Sequence, residues 1–383
     1  MNIMVYTHHY PVTEGLGIIP DTKVVHYFVK ELQKKGHVVQ VVYLYYTPVK
    51  EIFRHRFREI LPKEMDYEIE GVPVHLIKYQ MLTPRRSHPE KFQADIINKR
   101  IRALKQRLNW KADRVFIHFP TMFAGLTEVL ADGVPSLGDF HNLDVLVLKK
   151  EKTRDEVLAF IREIKTWGYR NKNVYEYLTH SCGREPVPVY TGIDSSLLAD
   201  PAWIERKKTQ THDALRILYA GQLIPLKNVD TVIEAVRQLP FAYDLTIVGD
   251  GSEMDRLRSM AQGDPAIRFT GWLPRNDTIK AMGDADVFVM VSSPETYGMV
   301  YLEAMAQGCI TVASRGEGFD GLIVDGENGF LAQPGSVEET KEVLCKIHNM
   351  RSEERAQILQ KGYELSQAMT EDRTTEGFLA ANV

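Results

Sequence analysis

The stretch DVFVMVSSPETYGMVYLEAMAQGCITVAS (286–314) places an apolar strand-like run, a short helix pattern and a second apolar run in direct succession. Two apolar strands joined through a helix imply a parallel pair, covered by helices on its faces. The helix pattern begins near Gly298 and stops at Gly308, a glycine of the kind that closes a helix. Glu295 then lies in the loop entering the helix. Glu303, with seven residues between the two, lies about one and a half turns inside it. A helix start offers free N–H groups and partial positive charge, which suits phosphate. A carboxylate repels phosphate, so both glutamates are better used as acceptors for hydroxyl groups beside it. Phosphate flanked by hydroxyls on two sides describes a nucleotide sugar.

The same alternation runs through the chain. In the first half, NIMVYTH (2–8), VVQVVYLY (38–45), VPVHLIKY (72–79), RVFIHF (114–119) and VPSLGDFH (134–141) read as strands, with a helix over 21–37. In the second, RILYAG (216–221), YDLTIVG (243–249) and IRFTGW (267–272) read as strands, with helices over 228–239 and 252–262. Apolar strands alternating with helices predict an α/β fold with parallel sheets. At 383 residues two domains are expected. The divisions are an N-terminal domain over 1–195, a linker over 196–213 and a C-terminal domain over 214–362. The tail 363–383 is expected as a helix docking elsewhere, back onto the first domain. The linker reading rests on lost periodicity, Pro201 and a run of charge.

Three widely spaced cysteines, Cys182, Cys309 and Cys345, fit a reducing compartment and no disulfide framework. The N-terminus lacks the pattern of a signal peptide and no window is apolar enough to span a membrane. A cytoplasmic location is therefore expected, with peripheral attachment to the membrane open. Residues 1–195 hold 29 Lys+Arg against 23 Asp+Glu (+6), and the remainder 18 against 28 (−10). The positive excess gathers in 50–63, 85–114 and 149–154. In 96–108, Ile96, Ile97, Ile101, Leu104 and Leu108 can share one helical face, with the basic residues largely elsewhere. That basic face reads either as the solvated side of a core helix or as an edge resting on an anionic membrane surface. Nucleic acid is not expected as a partner, because no aromatic-interleaved basic surface is present.

Ligands of open parallel sheets bind beyond the carboxyl ends of the strands. After the first strand, Gly15 and Gly17 would let backbone approach a ligand, or simply form a turn. Lys227 falls just before a helix start, where it suits a diphosphate or is merely a solvated charge. LTIVGDGSEM (245–254) has G-x-G after a strand, but Met254 replaces the third glycine of a dinucleotide fingerprint.

Taken together, these segments resemble the retaining, nucleotide-sugar-dependent glycosyltransferases of family 4, with the GT-B fold. The E-x7-E element is Glu295–Glu303. YAGQLIPLKNVDTVIEA (219–235), IVGDG (247–251) and GFDGLIVDGENGFL (318–331) match further family segments in order, as do HFPTMFAGL (118–126), FHNLDVL (140–146), WGYRNKNVYEYL (167–178) and VPVYTGID (187–194). The resemblance implies two Rossmann-like doubly wound domains facing each other across a cleft. It implies that Glu303 holds the ribose hydroxyls and Glu295 the transferred sugar. Gly298, Met299 and Val300 would meet phosphate and sugar through their backbone, and Lys227 would neutralise the diphosphate. Gly221, Gln222 and Gly249 fall in the donor-side turns, Leu273 near the base, and Gly17 over the phosphates. His118 would lie against the donor sugar. His141 and Arg170, with Gly15, would lie near the acceptor–donor junction. A bare strand-end histidine also reads simply as hydrogen-bonded structure.

The chain departs from the pattern at Gln222, where the family has arginine, and glutamine lacks the charged bidentate contact. Arg170 or Arg275 is the expected replacement, unless Gln222 suits a different donor. Thr191, in place of a common asparagine, is a minor departure. The resemblance implies transfer with retention from a nucleotide diphosphate sugar, UDP ahead of GDP, to a glycan or lipid-linked glycan in cell-surface polysaccharide or glycolipid synthesis. It implies no metal and no cofactor beyond this co-substrate. Two rivals stand beside it: a non-catalytic homologue that binds a nucleotide sugar and supports another transferase, and a dinucleotide-dependent oxidoreductase, disfavoured by the broken fingerprint.

Overall fold

The computed structural model describes residues 1–12, 24–48, 62–81 and 86–381. The described chain divides into two compact units: Met1–Arg170, Val174–Tyr190 and Thr375–Val383 in the first, Asn171–Asn173 and Thr191–Thr374 in the second.

Unit 1 is built on eight strands: β1 (Asn2–Thr7), β2 (Val38–Pro48), β3 (Glu64–Ile69), β4 (Val72–Met81), β5 (Arg114–His118), β6 (Ser136–Phe140), β7 (Thr166–Tyr169) and β8 (Val187–Pro188). Their order is β3-β4-β2-β1-β5-β6-β7-β8. β1 lies between β2 and β5, with Asn2 opposite Val38 and Ile3 opposite Arg114. Its central place explains its unbroken apolar run, since both of its faces are buried. Met4, Tyr6 and Val42 join one core; Ile3, Val5 and Val41 join the other, as a two-residue period requires. Chain order reverses between β1 and β5, which makes this pair a switch point.

One strand departs from the expected parallel sheet. β3 runs antiparallel to β4, joined through Glu70 (φ 50°) and Gly71 (φ 80°). Two successive left-handed residues are the two-residue loop that suits strand twist. The strand alternates exposed and half-buried residues, as an edge strand should.

Unit 2 has β9 (Leu215–Ala220), β10 (Tyr243–Val248), β11 (Ile267–Gly271), β12 (Val287–Val289), β13 (Ile310–Ser314) and β14 (Phe330–Ala332), in the order β11-β10-β9-β12-β13-β14. All of its pairs are parallel. The switch point lies between β9 and β12.

Two expectations are corrected at the edges of these units. The segment 196–213, expected as a linker, contains the helix Pro201–Thr209, with Asp200 accepting from the Ala202 N–H at 2.7 Å and Pro201 opening the first turn. The lysine-rich sequence hides an inward residue, because Lys207 is buried. In the helix Lys91–Leu108 the buried face is Gln93, Ala94, Ile97, Ile101 and Leu104, while Ile96 stands 49% exposed. A residue next to Ile97 is turned about 100° away from it. At the other end of the chain, the tail forms the helix Glu371–Ala381, whose Phe378 packs edge-on against Phe28 and Phe116 of unit 1.

Candidate active site

In unit 2 the expected donor residues collect at the carboxyl ends of the strands on both sides of the switch point. Gly221 follows β9, and the short turn Pro225–Lys227 comes next. Asn228, left-handed at φ 48°, donates from Nδ2 to the Val291 carbonyl at 2.8 Å, and the Ser293 N–H donates to Leu226 at 2.9 Å. These bonds tie the loop after β9 to the loop after β12. Lys227 Nζ consequently meets Glu295 Oε2 at 2.7 Å. The Ser292 hydroxyl donates to the same oxygen at 3.0 Å. Glu317 grips the loop from the other side, accepting from the Glu295 N–H at 2.8 Å and from the Ser293 hydroxyl at 2.6 Å. Glu295 is thus fixed in backbone and side chain before any ligand arrives.

Gly298 precedes the helix Met299–Ala306 in a left-handed conformation, φ 83°. The N–H groups of Met299 and Val300 begin the helix and have no acceptor within it. Glu303, on the second turn, accepts from Arg275 Nη2 at 2.7 Å. Its burial raises the carboxyl pKa, and the Arg275 charge pulls it back down. Gly249 (φ 138°) lies against Gly221 so closely that a Cβ there would come within 1.9 Å of the Gly221 carbonyl oxygen. Gln222 is exposed, and Leu273 lies in the loop between β11 and Arg275. Gly15 and Gly17 lie outside the described residues.

Unit 1 presents a second cluster at its own switch point. His118 ends β5, and its Nδ1 lies 3.2 Å from the Thr7 hydroxyl at the end of β1. His141 and Arg170, from the ends of β6 and β7, meet on Asp139. Arg170 Nε donates to the Asp139 carboxylate at 2.9 and 3.0 Å, and Nη2 at 2.5 Å. His141 Nε2 lies 3.2 Å from Asp139 Oδ2, and His118 Nε2 3.9 Å from it. Burial opposes the Asp139 charge, but Arg170 and His141 hold its pKa well below the ordinary range. Burial also lowers both histidines, His118 most strongly, so each is neutral at pH 7. Beneath them Asp144 accepts from the His141 N–H at 2.8 Å and from the Thr121 N–H and hydroxyl at 3.0 and 2.6 Å.

His118, Asp139 and His141 could each offer a ligand atom, all within 4.8 Å of one another. The guanidinium of Arg170 already neutralises the single carboxylate of the group. A divalent ion would sit against that fixed cation, so this donor set does not fit a metal centre. The chain also has an Asp-x-Asp triplet, Asp284–Asp286, but it precedes β12 at the amino end of the sheet. There Asp286 is taken by Arg216 at 3.0 Å.

Asp139, Asp144, Ser292 and Glu317 were not singled out from sequence. A buried acid inside an otherwise apolar strand was the available signal for Asp139. Arg275 and Arg170, expected as substitutes for the missing arginine at Gln222, are both committed to carboxylates, Glu303 and Asp139.

The whole described chain resembles solved nucleotide-sugar enzymes of the GT-B fold. HepE from Anabaena, in complex with UDP, superposes with a TM-score of 0.69 at 16% identity, covering 99% of this chain and 98% of that one. A sucrose-phosphate synthase from Thermosynechococcus elongatus gives 0.65 at 17% identity, over 99% and 97%. The fold is GT-B. Residues 202–365 match the family described as glycosyl transferases group 1. Relatives include the lipopolysaccharide core biosynthesis glycosyltransferase LpsE of Rhizobium meliloti, 36% identical over 42% of this chain and 47% of that protein. Another is the alpha-monoglucosyldiacylglycerol synthase of Streptococcus pneumoniae, 24% identical over 79% and 69%. The chain thus matches about half the length of LpsE.

Proposed function

We propose that the protein transfers a sugar, with retention, from a UDP-sugar to a hydroxyl of a glycan or lipid-linked glycan acceptor. The observation that carries this reading is the Lys227–Glu295 pair at the mouth of the Met299–Ala306 helix, with Glu303 one turn further in. A diphosphate arriving at the helix start meets Lys227 and the first N–H groups. Glu295, relieved of the lysine, accepts from the sugar, and Glu303 accepts from the ribose. Lys227 and the helix terminus supply the positive charge on the leaving group, so no metal is required. The leaving phosphate takes the acceptor proton on the face from which it departs, and the protein's part is to position groups and stabilise charge. UDP is favoured over GDP because UDP and UDP-glucose occupy HepE. Acceptors of the glycolipid or polysaccharide kind are supported by the names of LpsE and the alpha-monoglucosyldiacylglycerol synthase.

Lys227→Ala and Glu303→Ala are expected to cut transfer by about 10²–10³-fold, the scale of losing one electrostatic donor, with folding retained. Full turnover by either variant at saturating donor would remove the site assignment. A thermal-shift comparison of UDP, GDP and ADP tests the base.

No described helix is long and apolar enough to cross a membrane. We further propose contact with an anionic membrane surface through the Lys91–Leu108 helix. Phe92 and Ile96, 51% and 49% exposed, stand one turn apart beside exposed Lys99. Much of the remaining charge is already spent: Arg102 pairs with Glu128, Lys105 with Asp132 and Arg107 with Asp66. Apolar contact therefore carries more of the attachment than net charge. Co-sedimentation with phosphatidylglycerol vesicles should be lost in Phe92→Ser/Ile96→Ser, and binding indifferent to that change would end the idea.

A further inference from the structure

We propose that Asp139 is a positioning residue that holds His141 in one tautomer, hydrogen on Nε2, so that the Nδ1 lone pair receives a hydroxyl of the sugar substrate. This rests on the glycosyl-transfer reading above for the identity of the ligand, but the tautomer itself follows from unit 1 alone. Asp139 is fully buried and bounded by two groups of different kinds. Arg170 can only donate, and an ionised carboxylate can only accept. The bond between Asp139 Oδ2 and His141 Nε2, at 3.2 Å, therefore requires the hydrogen on Nε2.

A neutral imidazole with hydrogen on Nε2 has a bare lone pair on Nδ1, and burial keeps this imidazole neutral. His141 Nδ1 is buried and has no hydrogen-bond partner among the described residues. An orphaned acceptor in a protein interior is costly unless something outside the fold completes it. The completing group must bring a hydrogen: a hydroxyl satisfies Nδ1, whereas a phosphate or carboxylate oxygen would set lone pair against lone pair.

The ring is also locked in orientation. Phe119 stacks on it with centroids 4.2 Å apart and planes at 27°. Phe119 holds φ at 59°, a conformation that a bulky residue adopts only when its surroundings enforce it, and such residues gather at ligand sites. The backbone N–H of His141 is pinned by Asp144. Ring plane, ring position and tautomer thus come from three different residues.

The test uses the full chain labelled with ¹⁵N-histidine, with long-range ¹H–¹⁵N correlation spectra at pH 7.5 and the His141 signals assigned through His141→Gln. The wild type is expected to show bare Nδ1 and protonated Nε2. In Asp139→Asn, Arg170 retains the amide oxygen, so the amide NH₂ turns to His141 and drives the hydrogen onto Nδ1. An acceptor becomes a donor. That variant should invert the tautomer, keep UDP affinity within about threefold, and lose turnover of UDP-glucose by at least about 100-fold, the kind of loss a wrong histidine tautomer causes. A wild-type spectrum with hydrogen on Nδ1, or on both nitrogens, overturns the proposal, and it does so even if Asp139→Asn fails to fold. An inverted tautomer with unchanged turnover overturns it equally. Absence of UDP binding by the wild type would count against the functional reading alone, since the spectrum needs no ligand.

Discussion

Gly298 carries two constraints that no other residue type meets. Its φ of 83° is strained for any side chain, at about 1–2 kcal/mol. A Cβ there would also lie 2.3 Å from the Tyr301 ring, which is fully buried and anchored by its hydroxyl to the Met290 carbonyl at 2.7 Å. The ring cannot swing aside, so Gly298→Ala is expected to lower stability by more than about 2 kcal/mol in urea denaturation and to displace the helix start. A variant with wild-type stability would show that the loop is softer than its contacts imply. Arg275 offers a different test at the same scale. Burial raises the Glu303 pKa and Arg275 restrains that rise. Removing the guanidinium leaves a buried acid without its cation, and its pKa climbs further. On the proposed reading Glu303 offers the ribose two accepting oxygens when ionised, and protonation turns one of them into a donor. Arg275→Ala should therefore weaken UDP binding more at pH 6 than at pH 8, measured by calorimetry, while the wild type changes less over that range.

The helix Pro201–Thr209 shows how an element can be secured by one buried charge. Lys207 Nζ donates to the carbonyls of Met282 and Gln307, at 3.2 and 2.9 Å, where the helices Arg275–Asp284 and Met299–Ala306 end. Helix ends leave carbonyls without partners, and this lysine supplies two of them at once. Lys207→Met keeps the apolar stem and loses both bonds, so about 2–3 kcal/mol of stability should go, read as a shifted denaturation midpoint. Sequence patterning could not have shown this, because a lysine in the run ERKKT reads as solvated. The same limit explains what else was missed. Strands β1, β5, β9 and β13 were legible because burial on both faces leaves mostly apolar residues. β3 was not, since an edge strand with alternating acids resembles a loop. Glu295 and Glu303 were legible from their spacing around one helix start and Lys227 from its place before another, both local features; that Lys227 meets Glu295 was not. The Asp139–Arg170 pair depends on the register of β6 against β7, Phe140 opposite Tyr169, which no single segment encodes.

At the scale of the whole molecule, acid is the condition under which unit 1 should fail first. His8, His88, His118 and His141 are buried there, and burial lowers all four pKa values, His8 to about 3. Unfolded histidine titrates near 6.5. Between that value and the lower folded ones, the unfolded chain binds protons that the native unit refuses, so stability is complete above about pH 6.5 and falls as pH drops below it. Each such histidine contributes a slope of up to about 1.4 kcal/mol per pH unit. Asp144 acts in the opposite sense. Burial raises it to about 7, against the hydrogen bonds from Thr121 and His141, so the native state binds a proton there that the unfolded state releases above about pH 4. Four histidines against one carboxyl leave a net loss on acidification equivalent to up to about three protons. Unit 2 has no comparable group of buried histidines among its described residues. Between pH 7.5 and 5.5 the thermal midpoint of unit 1, followed through protection of β1 and β5 amides from hydrogen exchange, should therefore fall further than that of β9 and β13 in unit 2. His8→Phe, which removes one of the four titrating rings and leaves the others in place, should reduce the unit 1 slope by roughly one proton. Parallel loss in both units, or a slope untouched by His8→Phe, would mean that the buried imidazoles do not govern the acid limit.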